Sequence, residues 1–112
     1  MQVNKYHWLA RDNVGMYLKR RGKTLEAIEY YQQAAAINPA DRGSNSEIGL
    51  YDQIMGDPRD AITHYQLALL DPTSPEDFQH LVWQNMGVAY RDLGDKEKAM
   101  ECFRRSTSLE HR

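Results

Sequence analysis

The chain has 112 residues, with 14 lysines and arginines against 16 aspartates and glutamates and a formal net charge of −2 at pH 7. Because this balance creates no basic surface, we expect no nucleic-acid partner. No apolar run approaches the ~20 residues that a membrane span needs, and the first residues, MQVNKYHWLARD, lack the apolar core of a signal peptide, so we expect neither feature in this chain and no membrane contact by it. The single cysteine, Cys102, fits a reducing compartment such as the cytoplasm, and also a disulfide-free exported fragment.

Six helices and no strands are predicted along the chain. Apolar residues at helical spacing, together with start and stop signals, predict helices near residues 4–21, 24–37, 43–55, 58–70, 75–93 and 96–109. At the fourth helix, Asp57-Pro58 supplies an N-cap followed by a first-turn proline. Asn38-Pro39 ends the second helix, because the residue before a proline disfavours helical backbone. The pattern indicates a single all-α domain over residues 1–112.

The chain repeats itself three times. Four columns of small and aromatic residues recur after 34 positions from the first unit to the second, and after 38 from the second to the third. The columns are Gly15, Gly49 and Gly87; Gly22, Gly56 and Gly94; Ala27, Ala61 and Ala99; and Tyr31, Tyr65 and Phe103. A period of 34 indicates helix–turn–helix units, which we place at about 8–41, 42–75 and 80–112. The four-residue insertion near 73–79 predicts either an altered angle between the second and third units or a longer fifth helix.

The first glycine of each unit lies in the middle of a predicted helix, where glycine costs about 1 kcal/mol relative to alanine. We interpret Gly15, Gly49 and Gly87 as positions where a neighbouring helix approaches closely. The aromatic residue four positions after each alanine would then fill the wider space beside these small residues.

The third unit carries the most complete motif. It reads Trp83-x2-Met86-Gly87-x2-Tyr90, followed by Ala99-x3-Phe103. This resembles the tetratricopeptide repeat, whose pattern is W-x2-L-G-x2-Y, then A-x3-F. The resemblance covers roughly residues 8–112. It implies a right-handed α-α superhelix of three helix–turn–helix repeats, in which the first helix of each pair lines a concave groove.

The first two units depart from this pattern. Arg11 and Asn45 occupy the column of the leading tryptophan, and Asp52 occupies the tyrosine column, with Tyr51 one place early. The last helix of the second unit is also about one residue short before Pro72.

The resemblance implies that a peptide or protein surface is bound along the first helices. Counting helical turns from the glycine of each first helix gives the predicted peptide-binding groove: Asp12, Asn13, Met16, Lys19, Arg20, Glu47, Leu50, Gln53, Ile54, Gln84, Asn85, Val88 and Arg91. The floor is apolar and the walls carry both charges, which suits an extended or helical peptide with one or two apolar anchors. Alternatively, Met16, Leu50 and Val88 simply pack between adjacent first helices.

Both ends of the array carry apolar residues without a capping helix. A stacked array needs polar capping elements where stacking stops. We therefore predict an end-to-end interface formed by Tyr6, Trp8, Met100, Phe103 and Leu109. Two explanations remain open. Either the chain is a piece of a longer protein with further repeats or another domain, which we favour, or its ends pair with copies of itself in a homo-oligomer.

No catalytic or metal-binding motif is recognisable in the sequence. The four histidines lie far apart without metal-ligand spacing, and Cys102 has no histidine near it in sequence to act as a base. The basic cluster at residues 19–23 is interpreted as cations at a helix C-terminus, rather than as a patch for phosphate or an acidic partner. We predict a non-enzymatic interaction module without cofactor or metal. The alternative is a structural element that self-associates or acts as a spacer.

Some members of the resembled family grip the C-terminal carboxylate of a peptide with two lysines, an arginine and two asparagines. The matching positions here are Asp12, Met16, Glu47, Leu81 and Asn85, of which none is cationic and two are acidic. A carboxylate would meet repulsion there rather than charge-assisted hydrogen bonds, so we expect no binding of chaperone-type acidic C-terminal tails. Calorimetric titration with such a tail checks this, and saturable binding that is lost in groove variants would contradict it.

Overall fold

A computed structural model describes residues 7–71 and 73–110 and folds them into six α-helices. The helices are α1 (His7–Arg20), α2 (Thr24–Ile37), α3 (Arg42–Ile54), α4 (Pro58–Ala68), α5 (Glu76–Asp92) and α6 (Lys96–Glu110). No strand occurs in these two ranges, so the all-α prediction is confirmed. The predicted start of the first helix, at residue 4, lies outside the described residues. The other predicted helix ends agree within two residues.

Side-chain caps fix where α3 and α4 begin. Asp41 Oδ2 accepts a hydrogen bond from the backbone N–H of Ser44 (3.2 Å), and Asp57 Oδ1 accepts one from the N–H of Asp60 (3.4 Å). These carboxylates satisfy backbone donors that have no partner within the first helical turn. The predicted cap at Asp57, followed by Pro58 in the first turn, is confirmed.

Each helix pair is joined by a tight turn around a glycine. Gly22, Gly56 and Gly94 have φ angles of 78°, 81° and 84°. This left-handed backbone region is open to glycine without steric cost, and it ends a helix within one residue. The second glycine column of the repeat is therefore explained by backbone geometry.

The helices pack as three pairs stacked on one another. α1 packs with α2, α3 with α4 and α5 with α6, and the pairs are joined through α2–α3 and α4–α5 contacts. One buried cluster joins the first two pairs and contains Ala27, Ile28, Tyr31 and Ile48. The other joins the last two pairs and contains Ala61, Ile62, Tyr65, Val82, Met86, Ala89 and Cys102.

The mid-helix glycines lie directly against aromatic rings of the second helices. A Cβ atom added to the glycine would lie 2.9 Å from the ring in the first pair and 2.6 Å from it in the other two, which are Gly15–Tyr31, Gly49–Tyr65 and Gly87–Phe103. Carbon atoms attract each other best at about 3.5–4.0 Å, so none of these sites has room for a side chain. The predicted close approach of the helices is confirmed.

The middle unit replaces two aromatic residues of the family pattern with hydrogen-bonded polar groups. Asn45 is buried, and its Nδ2 donates to the backbone carbonyls of Pro39 (2.9 Å) and Asp41 (2.8 Å). Asp52 Oδ2 lies 2.9 Å from His64 Nδ1. Because buried polar groups are tolerated when they have partners, both departures are compatible with the repeat fold.

The insertion before the third unit lengthens α5. This helix has 17 residues, more than any other of the six described helices. Of the two outcomes expected for the insertion, a longer fifth helix is therefore present. Its added first turn carries Phe78, whose ring lies 5.8 Å from the guanidinium carbon of Arg42 at the start of α3.

Gly49→Ala and Gly43→Ala, both in α3, separate tight packing from helix propensity. At position 49 the new Cβ overlaps the buried Tyr65 ring, so we expect the free energy of unfolding to fall by about 1–3 kcal/mol. At position 43 the nearest atoms lie at 3.7 and 3.9 Å, so alanine should leave stability unchanged or raise it by up to about 1 kcal/mol. Urea denaturation followed by circular dichroism measures both. Equal effects of the two substitutions would contradict the packing role.

Candidate functional site

A cavity of about 470 Å³ lies between α1 and α3 and is called here the α1–α3 cavity. It is lined by Asp12, Met16, Lys19, Arg20, Tyr31, Gly43, Ser46, Glu47 and Phe78. The first four of these residues come from α1, the first helix of the first pair. Gly43, Ser46 and Glu47 come from α3, the first helix of the second pair, and form the opposite wall. The cavity therefore lies at the junction of the first two units.

A second cavity, of about 180 Å³, shares three lining residues with the first and is called the Leu50 pocket. Leu50, which is half-buried, and Ile54, which is 77% exposed, both line it. An apolar side chain of a partner placed here would remove this exposed hydrocarbon from water, which is the main favourable term in association.

Seven of the thirteen predicted groove residues line these two cavities, and all seven lie in the first two units: Asp12, Met16, Lys19, Arg20, Glu47, Leu50 and Ile54. The side chain of Gln53 is engaged elsewhere, because its Oε1 accepts a hydrogen bond from the Tyr65 hydroxyl. The other predicted residues do not line either cavity; Asn13, Gln84 and Arg91 are exposed, and Asn85 and Val88 are half-buried.

Two aromatic residues line the α1–α3 cavity that sequence analysis does not place in the groove. Tyr31 is expected only as a packing residue, and it is indeed almost fully buried, but its ring also reaches the cavity. Phe78 comes from the inserted segment and lies on the first turn of α5. In the sequence, one feature could have identified Phe78 as a site residue: it is an aromatic residue within the insertion, which the repeat itself does not need.

An ion pair crosses the α1–α3 cavity. Lys19 Nζ lies 2.7 Å from Glu47 Oε1, and the lysine side chain is half exposed. Such a pair contributes only about 0–1 kcal/mol to stability. Its effect on ligand recognition is larger than its effect on stability, because the two charges neutralise each other. Arg20, in contrast, has no ion-pair partner among the residues that the structure describes.

Asp12 lies toward the other end of the cavity and faces the carboxyl group of Asp41. Its Oδ1 is shielded from solvent, and no hydrogen-bond donor in the described part of the chain reaches it. Burial, a hydrogen bond with the Asp41 carboxyl and the charge of that group raise the pKa of Asp12 to about 8. The raised pKa favours the protonated form of Asp12 at neutral pH, which reduces the repulsion between this side chain and Asp41.

The predicted end-to-end interface is only partly formed by exposed surface. On α6, Met100 is 52% exposed and lines a shallow depression of about 460 Å³ together with the half-buried Phe103. Leu109 is half-buried and does not line that depression. Trp8 is half-buried and lies beside Asp41 and Phe78 in a further cavity. Tyr6 lies outside the described residues.

His80 and Cys102, two further side chains with reactive groups, are occupied in packing and hydrogen bonding. His80 Nδ1 lies 2.7 Å from the Ser106 hydroxyl, and burial, aided by the charge of Glu101, raises the pKa of the Cys102 thiol. Within residues 7–71 and 73–110, no group of three or more histidine, cysteine or acidic side chains is placed to hold a metal ion. In the same ranges, no helix is both long enough and apolar enough to cross a lipid bilayer.

Asp12→Asn should remove a pH dependence of stability. Because the folded-state pKa of Asp12 is raised from 3.8 to about 8, the protonated carboxyl stabilises the fold fully below about pH 4, and this contribution is lost as pH rises to 8. Asparagine does not titrate, so the variant should be more stable than the natural chain at pH 8, on the order of 1–2 kcal/mol after allowing for the exposed half of the side chain, with a smaller difference at pH 5. Urea denaturation at both pH values measures this; parallel pH profiles would contradict it.

Comparison with known proteins agrees with this architecture. A family model described as "Tetratricopeptide repeat" matches residues 10–41 and 81–110, more than half of the chain. The chain is 29% identical over 99 residues to human tetratricopeptide repeat protein 7B, and the match covers 86% of this chain but only 11% of that protein.

Two solved structures show the same arrangement of helices. One is the second tetratricopeptide domain of Spaghetti (RPAP3) bound to the HSP90 peptide SRMEEVD, with a TM-score of 0.78, 21% identity and coverage of 95% of this chain and 94% of that one. The other is the APC/C hetero-tetramer Cut9-Hcn1, with a TM-score of 0.79, 30% identity and coverage of 91% of this chain and 20% of that one. The six helices, the glycine–aromatic columns and the family match lead to one conclusion: this chain belongs to the tetratricopeptide repeat family and folds as an all-α helical-repeat superhelix.

Proposed function

We propose that this chain is a non-enzymatic interaction module that binds a peptide or protein surface along α1 and α3. The observation that carries the proposal is the pair of cavities at the junction of the first two units, where seven predicted groove residues come together. Their lining combines apolar residues with separate charged groups, which is the composition expected of a site that anchors a partner by burial and orients it by polar contacts.

The comparisons support a binding role in general terms. The Spaghetti domain, which covers nearly the same helices, has a peptide of HSP90 bound to it. At 21% identity, this likeness concerns the fold, and the positions that would hold an acidic tail carry no cation in this chain. We therefore propose a peptide ligand of different chemistry. The chain spans about a ninth of the length of its human relative, so a larger parent protein with further domains is part of the same proposal.

Met16→Asp combined with Leu50→Asp should strongly weaken partner capture. Both substitutions put a charge on apolar surface of the cavities, and both sites have exposed area, so the fold should persist. The measurement is capture of partners by the immobilised chain, compared with the unsubstituted chain, with helicity checked by circular dichroism. A loss of at least tenfold is expected, since two apolar contacts are replaced by desolvated charges.

Leu25→Asp combined with Met55→Asp is the matched control. These residues have the same types, are 69% and 64% exposed, and line neither cavity. Capture should be unchanged. If both double variants behave alike, binding does not depend on the α1–α3 surface.

A structural role through self-association is the second candidate, and the half-exposed Met100 beside Phe103 on α6 favours it. Met100→Glu tests this role better than a substitution at Phe103, because the Phe103 ring packs against Gly87. If Met100→Glu changes the sedimentation mass while the α1–α3 double variant has no effect, the array acts by stacking on its own copies.

A further inference from the structure

Three side chains of α1 form a ladder along the α1–α3 cavity. Asp12, Met16 and Arg20 are four residues apart and all line the cavity. Residues at this spacing lie on one face of a helix, with a rise of about 6 Å from each to the next. The ladder therefore presents an acidic, an apolar and a basic group in that order, over about 12 Å.

Within the described residues, neither end of the ladder is held by an ion pair. Asp12 Oδ1 is buried without a hydrogen-bond partner in the described part of the chain. Arg20 is exposed and, within the same residues, forms no ion pair, whereas its neighbour Lys19 is held by Glu47. Met16 is 44% exposed between them. A ligand lying along the cavity could therefore place a basic group beside the Asp12 carboxyl, cover Met16 and place a carboxylate at Arg20 without breaking an existing ion pair.

An extended peptide has a repeat that matches the ladder. In a β-strand, alternate side chains point to the same side and recur every ~6.6–6.8 Å, close to the ~6 Å between neighbouring members of the ladder. An extended ligand can therefore present three alternate side chains to the three members of the ladder.

We propose that the α1–α3 cavity binds an extended segment of a partner protein in which a basic, an apolar and an acidic side chain occupy alternate positions, with the basic group against Asp12 and the acidic group against Arg20. This rests on the proposed function, because it specifies the partner at the same cavity. Arginine suits the Asp12 end, since its planar guanidinium donates several hydrogen bonds in a fixed geometry. Either order along the partner chain satisfies the ladder, because the peptide can run in either direction.

Binding of the basic group is coupled to the release of a proton from Asp12. Asp12 lines both the α1–α3 cavity and the further cavity beside Trp8. The charged and titratable groups that line these with it are Lys19 and Arg20 of α1, Tyr31 of α2, Asp41, Arg42 and Glu47 at α3, and Asp71 before α5. In the free chain the pKa of Asp12 is raised to about 8, chiefly by burial and by Asp41. A bound guanidinium favours the carboxylate and lowers this pKa. Affinity should therefore increase as pH rises from 6.5 to 8.5.

Calorimetric titration with the acetylated and amidated peptide Ala-Arg-Ser-Leu-Ser-Glu-Ala tests the proposal. We expect saturable binding with a Kd on the order of 10–300 μM at pH 8.5, and binding several-fold weaker at pH 6.5. A control peptide with citrulline for arginine and glutamine for glutamate keeps the shape without the charges. It should bind at least about fivefold more weakly at pH 8.5.

Variants of the chain test which of its residues contacts each end of the peptide. Arg20→Glu should weaken binding of the Arg/Glu peptide at least about fivefold and improve binding of a peptide with arginine at both charged positions. Arg59→Glu makes the same charge change at an exposed site on α4 that lines neither cavity, so it should bind as the natural chain does. Asp12→Asn keeps the side-chain shape and should remove the pH dependence.

Three results would overturn the proposal: no saturable binding up to about 2 mM peptide, equal binding of the charged and uncharged peptides, or transferred nuclear Overhauser effects showing that the bound peptide is helical. Partner capture by the Met16→Asp/Leu50→Asp variant is an independent readout. The interaction module therefore stands or falls separately from this ligand chemistry.

Discussion

The contact between a mid-helix glycine and an aromatic ring sets the spacing of the helices within each pair. The rings of Tyr31, Tyr65 and Phe103 lie 2.6–2.9 Å from the position that a Cβ atom would take on the glycine, so they occupy the space of a side chain. In the first pair this contact also helps to form the site. Because Gly15 leaves a gap in α1, the ring of Tyr31 reaches across from α2 and becomes part of the cavity lining. The same packing constraint thus builds both the core and the floor of the site.

The candidate site lies across two units, so ligand binding and stacking of the units are thermodynamically linked. The Lys19–Glu47 ion pair and the Asp12–Asp41 contact both cross from the first pair to the second. In a repeat array, stability is close to a sum of unit terms and nearest-neighbour terms. A ligand that touches α1 and α3 together adds to one nearest-neighbour term and stabilises that junction by mass action. Recognition by this chain is accordingly a property of a junction, and a single isolated unit would lack half of the site.

Sequence reasoning predicts the features that depend on local periodicity and misses those that depend on how units meet. The glycine and aromatic columns, the turns and the caps are set by spacings within one unit, so the six helices follow from the sequence. The pairing of Asp12 with Asp41 joins residues 29 positions apart, and Phe78 enters the site only because the insertion lengthens α5. The repeat pattern predicts neither arrangement. For the same reason, the third-unit residues Gln84 and Arg91 fit the pattern, but the two cavities at the first junction do not include them.

One position within the helix pairs is filled differently in each unit. Asp52 and His64 bond to each other in the second pair, and the equivalent positions hold Leu18 and Tyr30 in the first pair and Tyr90 and Cys102 in the third. If α3 paired with α6 of another copy or of the same chain, Asp52 would face Cys102 and lose its partner, and a desolvated carboxylate without a partner is costly. Misassembly and exchange of elements between copies are characteristic failures of repeat proteins during folding. The chemical difference at this position identifies the correct partner of each helix and so works against misassembly.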